Sequence, residues 1–205
     1  MKTIPTASLT NCFRNGAMAP KGTLGKLHNL VVYIQRSTQR ITQFRALSNS
    51  HNLTRDNSTR WNSWYKMINT AIQLKSALSL FCLQFHEYQL DMLSANEWKD
   101  LKKLQGFLLF FHDATLSTES RGATIDRVLP TMDFLLEQFE EDKTQYKDDM
   151  FMGPCCNSGW AKLEKYYSLT DRSPVYIAAL VLCPQWKWEY IDGNWPAEWV
   201  PKAKV

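Results

Sequence analysis

The chain has 205 residues, of which 44% are hydrophobic and 13% aromatic, and its formal net charge is +4. This is enough chain for one large domain or one and a half small ones, with the hydrophobic content of a globular protein. No run of about 18 apolar residues occurs, which excludes a transmembrane helix, and residues 1–20 lack the apolar stretch of a secretory signal. The five cysteines form no C-x-x-C pair, which favours reduced thiols in an intracellular protein.

The charge is distributed unevenly along the chain. The first 60 residues contain nine Lys or Arg and one acid, Asp56, whereas the remaining residues have a net charge of −4. A basic segment favours contact with a polyanion, because cations placed near phosphates release condensed counterions. A solvated basic surface without any partner explains the same charge, so both alternatives stay open.

The first third of the chain is predicted to contain two short helices. Residues 1–22 mix Pro, Gly, Thr, Ser and Asn without periodicity, so they are predicted to be an unstructured leader. The helical spacing of apolar residues predicts helices over 24–36 and about 38–48. The polar residues 49–58 predict a loop.

Three amphipathic helices are predicted in the middle of the chain. An apolar stripe predicts a long helix from near Arg60 to near Gln84, with Ser58 or Thr59 as its cap. Ser94 and Glu97 match a capping box, in which each side chain satisfies the backbone amide of the other, and this predicts the next helix start. The third stripe runs from Ile125 to Phe139.

The last third is predicted to be helical in shorter pieces. Either the helix starts at Leu129 with Pro130 at its first position, or it kinks at Pro130, because proline has no amide to donate. The acidic stretch 140–150 is predicted to be fully solvated, and 151–157 is predicted to be a loop around Gly153 and Pro154. Short helices are predicted at about 158–168, 174–183, 185–191 and 197–204. No alternating strand pattern is present, so the predicted fold class is mostly α.

The sequence Thr59-Arg60-Trp61-Asn62-Ser63 is the candidate binding motif. Arginine offers a planar cation and tryptophan a flat ring, which suit a phosphate and an unstacked base. The alternative is a core tryptophan beside a capping arginine. The predicted DNA-binding residues are Lys26, Arg36, Arg40, Arg45, Arg60 and Trp61.

Other reactive residue types carry weaker signals. The four histidines are scattered without metal-ligand spacing, and the adjacent pair Cys155 and Cys156 has no nucleophile context. Asp56 is expected to be a turn residue. The aromatic residues between Trp186 and Trp199 are expected to pack between short helices, with a stacking face for nucleic acid as the alternative. We therefore predict no catalytic residue and no metal site in this chain.

Four segments resemble a known family. Residues 26–49, 55–86, 121–140 and 157–199 resemble consecutive blocks of fungal hAT-type DNA transposases, in the same order and at about the same spacing, and T-R-W-N-S at 59–63 is the most specific match. The family has a ribonuclease-H-like nuclease with a large all-α insertion. The resemblance implies that this chain is the helical insertion region, and in one interpretation a small remnant of the nuclease core precedes it.

The resemblance also implies a division of the chain. Residues 1–22 would be a leader, 23–58 basic helices at the end of the nuclease core region, and 59–205 an all-α insertion-type domain truncated at its C-terminus. The family's chemistry uses three carboxylates that hold divalent metal, Mg²⁺, and none of those blocks matches here. We therefore expect a fragment with no catalytic residue and no cofactor of its own.

The expected function follows from the same resemblance. The fragment would contribute DNA binding in transposition, with Trp61 contacting a base flipped near the DNA hairpin. The expected partner is DNA at transposon ends, in the nucleus, with no membrane contact, and with oligomers formed only through a missing C-terminal region. The alternative is an inactive transposon relic that acts as a helical structural or interaction protein.

Overall fold

The fold is built from α-helices. A computed structural model describes residues 22–55, 61–119 and 124–204, and within these ranges no strand occurs. The prediction of a mostly α fold is confirmed. The helices in chain order are α1 (Thr23–Gln35), α2 (Thr38–Leu47), α3 (Trp61–Gln73), α4 (Lys75–Gln84), α5 (Ala95–Glu119), α6 (Val128–Gln145), α7 (Met152–Thr170), α8 (Val175–Leu182), α9 (Lys187–Asn194) and α10 (Val200–Ala203), with 3₁₀ helices at His86–Asp91 and Ile125–Arg127.

Helices α1 and α2 form where the sequence predicts them, but they contribute unequally to the core. The apolar stripe of α1 is buried, and its buried members include Leu27, Leu30 and Val31. Helix α2 buries Phe44 alone among its residues and leaves most of its surface to solvent. Because Phe44 fixes one face of α2 to the core, the other faces are free to present polar and basic side chains.

The predicted long helix from Arg60 to Gln84 is interrupted. Helix α3 ends at Gln73 and α4 begins at Lys75, with Leu74 at φ −101° and ψ 21° between them. The backbone amides of Leu74 and Leu78 still donate to Thr70 and Leu74 carbonyls, at 3.0 and 2.9 Å. The sequence therefore predicts the helical state correctly and misses the interruption at Leu74.

Helix α5 begins at the predicted capping box. The amide of Ser94 donates to Glu97 Oε2 at 2.8 Å, and the amide of Glu97 donates to Ser94 Oγ at 3.3 Å. The helix then runs for 25 residues and buries an apolar stripe made of Trp98, Leu101, Leu104, Phe107 and Leu108. It packs against α1, α3, α6 and α7, which makes it the central helix of the larger core.

Pro130 lies at the start of its helix. The 3₁₀ helix Ile125–Arg127 leads directly into α6, and Pro130 is the third residue of α6. The missing proline amide falls among first-turn amides that have no intrahelical acceptor. The helix starts one residue before the predicted Leu129, so Pro130 lies at its third position rather than at the predicted first one.

The predicted loop over 151–157 is wrong, because α7 begins at Met152 and includes Gly153 and Pro154. The reason is a cap that sequence spacing does not reveal: Asp149 Oδ1 accepts from the amides of Phe151 and Met152, both at 2.9 Å. The predicted separate helix 158–168 is therefore the second part of α7.

Asp149 also corrects the prediction that 140–150 is fully solvated. The Lys103 ammonium donates to Asp149 Oδ2 at 2.6 Å, which joins α5 to the start of α7. Upstream, Lys143 lies over the ring of Trp160. The hydrogen bond from Lys103, followed by the one from the Met152 amide, lowers the pKa of Asp149 to about 2.

Two apolar clusters lie in the described part of the chain. The larger one extends from Leu24 to Cys156, so helices on both sides of the predicted boundary at residue 58 share it. The predicted division into domains stays a prediction. The smaller cluster is centred on Leu129, Leu180 and Ile191 and is surrounded by half-buried aromatic rings. None of the described helices is long and apolar enough to cross a membrane.

Asp133 organises the smaller cluster. Its Oδ1 accepts from the Tyr167 hydroxyl at 2.7 Å, and its Oδ2 accepts from the Tyr190 hydroxyl and from Trp195 Nε1, both at 2.9 Å. Burial, together with this carboxylate, raises the pKa of both tyrosines. The three donors stay protonated, so one side chain of α6 fixes the end of α7 and the segment around α9.

Gly159 permits the close approach of α6 and α7. A Cβ atom at this position would lie 2.6 Å from Phe139 Cζ, and Phe139 is fully buried. We predict that Gly159→Ala lowers the free energy of unfolding by about 1–3 kcal/mol in a urea titration, through overpacking. Gly106→Ala is the control, since that Cβ meets nothing within 4 Å and alanine is the better helix former by roughly 0.5–1 kcal/mol. Equal effects of the two substitutions would contradict the packing account.

Asp149 makes the free energy of unfolding depend on pH. Its pKa in the fold, about 2, lies below the ordinary value of 3.8, so its contribution is present above pH 4 and disappears as the pH falls toward 2. We predict that Asp149→Asn destabilises the fold by up to about 1 kcal/mol at pH 7, because the amide keeps the cap but loses the ion pair with Lys103, and that the difference shrinks toward pH 2. Urea titrations across this pH range measure it. The exposed neighbour Asp148→Asn serves as control, and a pH-independent difference would refute the assignment.

Candidate nucleic-acid interface

The described part of the basic segment contains no acidic residue of its own. Residues 22–55 contain five Lys or Arg and no Asp or Glu. Helices α1 and α2 pack against each other, and both touch the core through apolar residues. The remaining faces therefore present a surface whose formal charges are all positive.

Among the predicted binding residues whose side chains the structure describes, Arg36 and Arg45 are the exposed ones. Arg36 caps the C-terminus of α1 and Arg45 lies in the last turn of α2, and both are exposed. Arg45 Nε donates to Asn52 Oδ1 at 2.8 Å, which orients the guanidinium against the turn after α2 and leaves its terminal nitrogens for other acceptors. Arg55, also exposed, lies shortly beyond this turn.

Arg40 is held in an aromatic stack. Its guanidinium carbon lies 3.6 Å from the centroid of the Tyr33 ring, and Nη1 donates to the Tyr33 carbonyl at 3.2 Å. The ring of Tyr88 lies 3.5 Å from the same Tyr33 ring. Two partners this close must occupy opposite faces of Tyr33. The stack fixes Arg40 in place and covers the tyrosine that could otherwise have stacked on a base.

Lys26 is placed apart from the other cations. Its ammonium lies 2.7 Å from Glu97 Oε1, and it is ten residues from Arg36, about 15 Å along the α1 axis. Although burial by itself would raise the pKa of Glu97, the hydrogen bonds from Lys26 and Ser94 lower it. Glu97 already offsets the charge of Lys26, and the assignment of Lys26 as a binding residue stays a prediction.

The T-R-W-N-S motif is described only in part. Arg60 lies outside the described residues, and Trp61 is described by its backbone alone, as the first residue of α3. The two predictions on these residues are therefore untested. The residues that follow, Asn62 to Tyr65, are half-buried or buried within α3.

His112 joins this neighbourhood from a distant part of the sequence. Its ring stacks on Tyr65, with centroids 4.6 Å apart and planes 22° apart, and its Nδ1 lies 3.3 Å from Asn62 Oδ1. Tyr65 is one helical turn after Trp61, on the same stripe of α3. Sequence reasoning missed His112 because 50 residues separate it from Asn62, and only the packing of α3 on α5 brings them together.

The aromatic residues of the C-terminal part pack as expected. Trp186, Trp188, Tyr190 and Trp195 are half-buried around the smaller cluster. Trp199 is 41% exposed and its ring lies near those of Trp195 and Tyr167. Since most of these rings have partners within the fold, the packing interpretation is the one the structure supports.

The resemblance implies Mg²⁺ in the whole enzyme, and the described residues do not fit it. Within 22–55, 61–119 and 124–204, no group of three His, Cys, Asp or Glu side chains is placed to hold a metal ion. The carboxylate of Asp133 accepts three hydrogen bonds, all from aromatic side chains. No catalytic step through a metal can be assigned to these side chains.

Comparison with known proteins connects the first half of the chain to a described domain. Residues 6–107 match the ZBED1 RNase-like helical domain. The chain is also 28% identical over 184 residues to tpeD of Talaromyces stipitatus, which is named as a candidate transcriptional regulator. The alignment covers 86% of this chain but 20% of that relative, so the chain spans about a fifth of its length. No solved structure matches. The first half of this chain is therefore similar to a helical domain of the hAT/ZBED-type, transposase-like family.

Proposed function

We propose that this chain is the helical, DNA-contacting part of an hAT-family DNA transposase, or of a protein derived from one, and that it acts in the nucleus. The observation that carries the proposal is the basic surface of α1 and α2, whose exposed arginines lie inside the segment similar to the ZBED1 RNase-like helical domain. In such a protein the chain contributes DNA binding and contact with a flipped base at the hairpin, and catalysis requires carboxylates from elsewhere.

The geometry supports binding to the phosphate backbone. Arg36, Arg45 and Arg55 are exposed, and guanidinium groups bind phosphate oxygens with two parallel hydrogen bonds. The exposed residues of α2 between these cations are polar or small, including Gln39, Thr42 and Ala46, and such side chains allow a helix to approach the backbone closely. Arg40 adds a fourth charge whose position the tyrosine stack has already fixed, so binding restricts its side chain little further.

The second candidate function is that of a transposon relic acting as an interaction protein. It is favoured by the similarity to tpeD, whose name refers to transcriptional regulation rather than transposition. Both candidates use the same basic surface if the relic still binds DNA. They differ in whether the surrounding protein cuts DNA.

The first prediction of this proposed function concerns catalysis. We expect that the purified chain neither nicks nor joins DNA with Mg²⁺ or Mn²⁺, because none of its described side chains are grouped to hold metal ions against a scissile phosphate. A supercoiled-plasmid assay measures this directly. Metal-dependent nicking that disappears on substitution of one of the chain's own Asp or Glu residues would overturn the non-catalytic assignment.

A second prediction concerns the salt dependence of DNA binding. Affinity should fall steeply with salt, and the double substitution Arg36→Ala with Arg45→Ala should reduce the log–log slope by about 0.9 for each phosphate that the variant no longer neutralises. Fluorescence anisotropy on a duplex at several salt concentrations gives the slope. The control is Arg127→Ala with Arg172→Ala, which removes two exposed arginines from the C-terminal part.

The control distinguishes a local interface from a general charge effect. Both double variants lower the net charge by the same amount, so a non-specific mechanism predicts that the slope decreases equally in both. The proposed interface predicts that the control keeps the slope of the unsubstituted chain. If the chain binds no DNA at low salt, the proposed DNA-contacting function fails.

A third prediction separates stacking from structure at Trp61. If Trp61 stacks on an unpaired base, Trp61→Ala should cost roughly 1–3 kcal/mol of binding on DNA with such a base and leave duplex binding and the salt slope unchanged. If Trp61 belongs to the core, the substitution should instead cost roughly 3–5 kcal/mol of folding stability. Titration of both DNA forms, together with urea unfolding of the variant, decides between the two.

A further inference from the structure

Helices α3 and α5 lie side by side and run in opposite directions. His112 Nδ1 of α5 lies 3.3 Å from Asn62 Oδ1 of α3, and Gln105 Nε2 of α5 donates to Asn69 Oδ1 of α3 at 2.7 Å. On each helix the two contacts are two helical turns apart, or about 10 Å. Equal spacing on both helices means that this antiparallel seam follows both helix axes.

The end of α5 projects beyond the start of α3. Asn62 is the second residue of α3, whereas α5 continues after His112 as far as Glu119. At 1.5 Å per residue, this continuation extends about 10 Å past the contact between His112 and Asn62. Residues 113–119 therefore form an overhang beyond the first turn of α3, which begins at Trp61.

The overhang carries an exposed leucine on the side of α3. Gln105, Leu109, His112 and Leu116 recur at helical spacing and share one stripe of α5. The contacts of Gln105 and His112 show that this stripe faces α3. Leu116 is its last member and is 54% exposed, since α3 begins level with His112.

The charges near Leu116 limit what the overhang attracts. Two exposed acids, Asp113 and Glu119, lie on the same end of α5. Lys66 of α3 is exposed, and Arg127 lines the same cleft as Asp113. These charges nearly cancel, so a phosphate gains little here, whereas a flat uncharged group can cover Leu116. A nucleobase is such a group, and unpaired bases are held between aromatic and apolar side chains.

The basic segment touches the same helix, α3. The ring of Trp64 lies 5.9 Å from that of His28 in α1, and Thr70 Oγ1 lies 3.2 Å from Thr54 Oγ1, next to the exposed Arg55. Thr70 follows the start of α3 by about 13 Å along the helix axis. About four nucleotides of one DNA strand span this distance, so one DNA molecule can reach both places.

We propose that Leu116 is one wall of a site for an unpaired base and packs on the face of the base opposite to Trp61. The inference rests on the proposed function, which assigns Trp61 to base stacking, and it adds a contact from α5. His112, through Asn62 and Tyr65, fixes the start of α3 against α5 and thereby the spacing of the two walls.

The test measures binding of the whole chain to three forms of one short DNA. The first is fully paired, the second carries a single-base bulge, and the third carries an abasic bulge at the same position. Comparison of the second and third isolates the base itself from the deformation that a bulge introduces. The key variant is Leu116→Ser. The control is Leu109→Ser, on the same stripe about 10 Å nearer the middle of α5 and 39% exposed.

The unsubstituted chain should bind the bulged DNA more tightly than the abasic form. Leu116→Ser should reduce this preference by at least about threefold, because serine gives the base less apolar surface to cover, and Leu109→Ser should keep it. Affinity for paired DNA and its salt slope should be the same in all three proteins, because no phosphate contact changes. Their urea midpoints should also agree, since both leucines are partly exposed.

Several results would overturn the assignment of Leu116. One is a base preference that Leu116→Ser leaves intact, or that Leu109→Ser reduces equally. Another is a loss of stability confined to Leu116→Ser, which would place Leu116 in the packing of the fold. Self-association in sedimentation that Leu116→Ser abolishes would assign the leucine to a second copy of the chain.

Failure of this inference is distinguishable from failure of the proposed function. If paired DNA binds at low salt but the bulged and abasic forms bind equally, the base site is refuted and the basic surface stands. If no form of DNA binds at low salt, both are refuted.

Discussion

The burial of one face of α5 determines where the other helices of the larger cluster lie. This helix packs against α1, α3, α6 and α7, and its stripe from Trp98 to Leu108 fills the middle of that cluster. Two ion pairs of α5 also hold neighbouring helices in place. Glu97 closes the capping box and pairs with Lys26 of α1, and Lys103 pairs with the residue that caps α7. One helix thereby fixes the position of the basic helices and of α7.

The placement of α5 explains why the positive charge is exposed. The apolar stripe of α1 is buried in the core beside α5, and Lys26 of the same helix forms an ion pair with Glu97 of α5. Helix α2 is attached through Phe44, so its arginines remain on the outside. A segment with five cations and no acid would be difficult to bury, because an unpaired charge in a low-dielectric interior is costly. The fold therefore keeps these charges at a surface where an anionic partner can neutralise them.

The sequence predicts helix positions well where interactions between residues close in sequence determine them. The capping box at Ser94 and Glu97, the stripes of α1, α5 and α6, and the position of Pro130 follow from spacing and backbone chemistry. Prediction fails where the deciding interaction is distant. The cap at the start of α7 is Asp149, which Lys103 holds from 46 residues away.

The candidate interface shows the same division between local and distant causes. Its arginines are identifiable from charge alone, because an uncompensated basic segment is visible in the sequence. The Tyr33–Tyr88 stack and the approach of His112 to Asn62 are not identifiable in this way, because each joins residues far apart in the chain.

If the surface of α1 and α2 is where this chain meets DNA, backbone amide NMR of the isotope-labelled chain, titrated with a short duplex at low salt, will locate it. The largest chemical-shift changes should fall on residues 36–55, with smaller ones at the start of α3 and none in α8 to α10, and they should reverse when salt is added. Changes concentrated in the C-terminal helices, or no changes in 36–55 at saturating DNA, would contradict this assignment.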